Sequence, residues 1–99
     1  MHATIAAAAL TAMSGTGATV QIAEPIPGIP AESVTIYPTD LLGSHRVMVT
    51  RWIEDRTIEV NAVTRGGSLA RPAVTVGEDN VAAVTSAINA ALIALAARG

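Results

Sequence analysis

The chain has 99 residues, of which 51% are hydrophobic and only 14% charged, with a formal net charge of −2. That length suits one domain over 1–99, the low charge and high apolar content exclude a disordered polyelectrolyte, and the absence of Cys excludes a disulfide framework, a thiolate nucleophile and a Cys-based zinc site. All six basic residues are Arg, Phe is absent, and one Trp and one Tyr offer no stacking platform, so nucleic acid is not expected as a partner.

Residues 1–14 read as a short helix or as an arm that orders on a partner. Ala3–Met13 is rich in Ala, the strongest helix former. At 100° per residue Ile5, Ala6, Ala9, Leu10 and Met13 share one face. Gly15 and Gly17 stop the helix, and a segment this short needs tertiary support. No basic residue precedes the apolar run, so a signal peptide is not expected.

A β-meander of four to five antiparallel strands is expected over 17–76. Gly17–Glu24 alternates around Val20 and Ile22. Pro25–Pro30 carries three prolines, which fix φ and remove three donors, so it reads as an extended connector. Its Ile26 and Ile29 either tuck onto the core or form an adhesive ledge. Ser33–Tyr37 is the second strand, with Val34 and Ile36 inward, followed by turn chemistry at Pro38-Thr39-Asp40 and a loop closing through Leu41-Leu42-Gly43. His45–Ile53 is the clearest strand, with Val47, Val49, Arg51 and Ile53 on one face and Arg46, Met48, Thr50 and Trp52 on the other. After a turn at Glu54-Asp55, Arg56–Arg65 returns with Ile58, Val60 and Ala62 facing one way and Thr57, Glu59, Asn61 and Val63 the other. Gly66-Gly67-Ser68 turns again, and Leu69–Val76 is the last strand, with Pro72 at its start or on an edge.

Residues 79–98 form a C-terminal Ala-rich helix, which completes an α+β fold. Glu78, Asp79 and Asn80 supply acidic and capping groups at its start, and Arg98 and Gly99 suit its end. On a wheel Val81, Val84, Ile88, Leu92 and Leu95 make the stripe for the sheet. Thr85, Ser86 and Asn89 make a polar flank interrupted by Ile93. The third sector is Ala83, Ala87, Ala90, Ala91, Ala94 and Ala97, where a solvated helix would carry Glu, Lys or Gln. Such a face permits close approach of another helix, either the segment 3–13 or the same helix of a second copy; the lesser alternative is a compositional bias toward Ala as a helix former. The run 81–97 is interrupted by Thr85, Ser86 and Asn89 and is too weakly apolar to suggest a membrane span.

Chemistry is sparse. Ser14-Gly15-Thr16-Gly17 hints at a phosphate loop, but no Lys follows and a strand comes next. His2 and His45 lack an orienting acid, and adjacent Glu54 and Asp55 point apart in a turn. No catalytic, cofactor-binding or metal-binding residue is expected, and the chain does not read as an enzyme. Arg46, Arg51, Arg56 and Arg65 lie along one hairpin among Glu54, Asp55 and Glu59, in positions for cross-strand or intersubunit pairs. Arg51 shares the face of Val47 and Val49, so it must find a carboxylate, lie at an interface or reach solvent at the strand end.

A weakly charged, Ala/Val/Thr-rich, cysteine-free chain of about a hundred residues resembles small bacteriophage virion proteins such as coat, cement or head–tail components. A sheet followed by a C-terminal helix is also similar to the plan of single-stranded RNA phage coat subunits, though the missing Lys and basic sheet face depart from RNA packaging. The resemblance implies a self-associating structural protein, soluble in the cytoplasm or within a virion, whose partners are its own copies or other protein subunits. The expected contacts are Ala83, Ala87, Ala90, Ala91, Ala94, Ile5 and Leu10, with Arg51, Trp52, Arg46 and Glu59 as polar contacts. The alternative is a monomeric protein-binding or regulatory module that uses the Pro25–Pro30 segment or the Arg51/Trp52 hairpin.

Overall fold

The computed structural model describes residues 19–23, 27–38 and 45–97. The expected N-terminal helix or arm, with Ile5 and Leu10, lies outside these residues, as do Pro25, Ile26, the 39–44 loop and Arg98. Five strands run as an antiparallel meander: β1 Thr19–Ile22, β2 Ala31–Tyr37, β3 Arg46–Trp52, β4 Thr57–Val63 and β5 Val74–Gly77, in the spatial order β1-β2-β3-β4-β5. One helix, α1 Val81–Ala96, packs across β4 and reaches β3 and β5 on either side. The α+β arrangement is the expected one.

The sheet sorts its residues by parity, as a period of two requires. Val34, Ile36, Val47, Val49, Ile58, Val60 and Ala62 point to the inner face and are buried in one cluster with the helix. Thr35, Met48, Thr50, Glu59 and Asn61 point to the outer face. Val63 also belongs to the outer parity but is buried, outside the main cluster.

Connections depart from expectation where backbone chemistry is special. The β2 strand starts two residues early, at Ala31, because Pro27-Gly28 turns the chain, with Gly28 at a φ of 84° that suits the third position of a tight turn. The β3–β4 loop spans Ile53–Arg56 rather than only Glu54-Asp55, and Arg56 closes it at a φ of 54°. A left-handed Arg costs about 1 kcal/mol.

The last strand is shorter than Leu69–Val76. Leu69 makes only an isolated bridge to Val63, and Ala70 N–H donates to the Ala62 carbonyl. The chain then leaves β4 through Arg71-Pro72-Ala73 and rejoins it with Val74 opposite Val60. Pro72 has no N–H to offer the ladder, which accounts for the break.

The helix starts at Asn80, whose Oδ1 accepts from the Ala83 N–H at 3.1 Å. Its buried arc is Val84, Ala87, Ile88, Ala91 and Leu95, with Leu92 partly buried beside it. This corrects the wheel in two places. Val81 is 42% exposed and lies off the core stripe. Ala87 and Ala91 are not on a separate alanine face but under the helix in the core, while Ala83, Ala90 and Ala94 sit half-buried on its flank and Ala97 is exposed. The reason is steric. Ala62 of β4 joins the same cluster, and small residues at a helix–sheet seam let the two backbones approach.

Ile88 is fully buried at the centre of this contact. Ile88→Ala is expected to lower unfolding free energy by about 2–5 kcal/mol in urea titrations; a loss well below 1 kcal/mol would contradict the helix–sheet packing.

Candidate functional site

Three charged side chains converge on the inner face at one end of the sheet. Arg51 follows Val47 and Val49 on the same parity, and the β2–β3 register sets Glu32 directly opposite it. Arg51 Nη1 donates to Glu32 Oε1 at 3.0 Å, and Nε donates to Glu78 Oε2 at 2.9 Å. Glu78 stands between β5 and α1, and its backbone N–H donates to the Arg56 carbonyl at 3.0 Å. The guanidinium therefore ties β2 and β3 to the segment that delivers the helix. The hydrogen bond to Glu78, then that to Glu32, holds the Arg51 pKa above its ordinary value, so the group is a permanent cation. Relative side-chain exposure is 18% for Arg51, 27% for Glu32 and 13% for Glu78, which places the cluster beyond the rim of the apolar core yet sheltered from full solvent screening. Its geometry suits holding the fold more than chemistry on a substrate.

The other residues marked as polar contacts lie on the opposite face. Trp52, 37% exposed, donates its Nε1–H to Glu59 Oε1 at 3.0 Å across β3 and β4. Arg46 is half-buried at the far end of β3 and makes no ion pair among the described residues. Arg51 is thus separated from Arg46, Trp52 and Glu59 by the thickness of the sheet. Ser33 Oγ and Thr50 Oγ1 share a hydrogen bond of 3.3 Å on the outer face.

The remaining described candidates are occupied or dispersed. His45 Nδ1 accepts from the Arg65 N–H at 3.1 Å. Glu54 and Asp55 stand exposed in the turn. No cluster of three His, Asp or Glu suited to a metal occurs among the described residues. A half-open depression of about 280 Å³ is lined by Thr19, Val20, Gln21 and Tyr37 and pairs no acid with a base among these residues. No described helix is long and apolar enough to cross a membrane. The Ile53 N–H donates to the Pro30 carbonyl at 3.0 Å, so the proline segment and the hairpin tip, distant in sequence, form one end of the molecule. Ile29, Trp52 and Ile53 are exposed there.

Glu32 and Glu78 were the residues that sequence reasoning missed as partners of Arg51. Glu32 shares parity with Val34 and could have been found once β2 was extended to Ala31. Glu78 is reached only by the fold. Arg51→Gln removes both ion pairs and is expected to cost about 1–3 kcal/mol of stability, read by thermal or urea unfolding; an unchanged midpoint would show that the bridge contributes nothing. Comparison with protein-family models, curated protein sequences and solved structures gives no match to this chain.

Proposed function

We propose that this chain is a structural protein that self-associates, and that it serves as a coat, cement or connector subunit of a phage particle, in the cytoplasm or within the virion. The observation that carries self-association is a surface poor in charge. Only 14% of the chain is charged, so little like-charge repulsion keeps copies apart. The side chains that could carry chemistry are largely committed to internal bonds: Arg51 to Glu32 and Glu78, Trp52 to Glu59, and His45 to the Arg65 backbone. The phage setting is supported by compositional resemblance.

A second reading, a monomeric protein-binding module, is favoured by the junction of Pro30 with Ile53. That junction gathers Ile29, Trp52 and Ile53 into one exposed apolar end.

Light scattering at tens of micromolar separates the two. Self-association is expected to give a multiple of the 10.0 kDa chain mass. A single sharp species at 10.0 kDa, with Trp52 emission changing only when a partner is added, would overturn it in favour of the module.

A further inference from the structure

We propose that the outer face of the sheet is the self-association surface and that its occupant is the same face of a second copy, related by a two-fold axis running across the strands. The proposal rests on the self-association reading above and names the surface that serves it.

The first argument is charge depletion. Helix α1 lies against the inner face, and no described element packs on the outer one. A solvated antiparallel face normally carries charged residues. Here the central row is Gln21, Thr35, Met48 and Asn61, side by side on four strands. Among the described outer-face residues of the five strands, only Arg46 and Glu59 carry charge. Depletion of charge is the mark of an interface centre.

The second argument is complementarity. Arg46 lies one same-face row to one side of the central row, and Glu59 one row to the other side. A two-fold axis along the central row exchanges the two sides. It lays Arg46 over the partner's Thr50, which is the cross-strand neighbour of Glu59. The lateral offset is one strand spacing, about 4.8 Å, within reach of an arginine. The pair occurs twice by symmetry, and Met48 meets its own copy near the axis. An axis parallel to the strands through β3 would instead set Arg46 against Arg46. Arg46 makes no ion pair among the described residues, while Glu59 bonds only a neutral indole there. Both charges are thus open to pairing across the interface.

The third argument is area. Strands of four, seven, seven, seven and four residues present a face of roughly 460 Å². Two such faces bury about 900 Å² together, above most chance contacts and in the range of a weak, reversible interface.

The test is a charge swap read by light scattering, with circular dichroism to verify folding. Arg46→Glu and Glu59→Arg are each expected to weaken the dimer at least about tenfold, and the double variant to restore it. Ile93→Glu, on the exposed side of α1, is expected to leave the mass unchanged. Folded single variants that keep the wild-type mass, or a double variant that stays dissociated, would overturn the assignment. If Ile93→Glu dissociates the assembly while Arg46→Glu does not, self-association stands and this face is not its seat. A monomeric wild type removes both.

Discussion

The structure depends on one contact: helix α1 closing the inner face of the sheet. Val84, Ile88, Ala91 and Leu95 meet Val47, Val49, Ile58 and Val60 in one cluster. Once that face is committed to the helix, strand periodicity dictates where every other side chain goes. A one-residue slip in any strand would move its Val and Ile to the outer face and its Thr to the core. Register and helix docking therefore enforce each other, and the polar outer face is as much a consequence of the core as the core itself.

Arg51 shows how the contact is terminated. It occupies inner parity at the end of β3, where an apolar residue would simply extend the core. Instead it donates to two carboxylates, one on the neighbouring strand and one on the segment entering α1. The bridge sets where the helix begins relative to the sheet, and the Asn80 cap then follows within two residues of Glu78. Exposed ion pairs contribute little; this one is sheltered and shared between two acids, and its contribution is orientation as well as energy.

The strands and their facing were legible because alternation is a local signal. Val47/Val49 and Ile58/Val60/Ala62 each declare an inner face without reference to any neighbour. That capping groups lie among Glu78, Asp79 and Asn80 was legible for the same reason, though the choice of Asn80 was not; for Arg51 a carboxylate was one of three open outcomes, beside an interface and solvent at the strand end. What escaped depends on tertiary context. The rotation of α1 about its axis is set by its packing on the sheet, which brings Ala87 and Ala91 into the core and leaves Val81 outside it. The left-handed Arg56 is invisible to turn rules that look for Gly or Asn. The displaced start of β5 follows from Pro72, whose presence was plain but whose consequence required the position of β4. The partners of Arg51 required the register of β2 and the path of the chain after β5.

If the outer face is the meeting surface, the assembly has four layers, helix–sheet–sheet–helix, with α1 outermost on both sides. The absence of Cys makes this directly measurable. A nitroxide on Cys substituted for the exposed Ile93 reports the distance between the two helices by pulsed electron resonance. With layers about 10 Å apart, the two helix axes stand about 30 Å apart, and the account predicts a separation of about 30 Å or more between nitroxides on their outward sides. A separation below about 20 Å would place the helices against each other and contradict it.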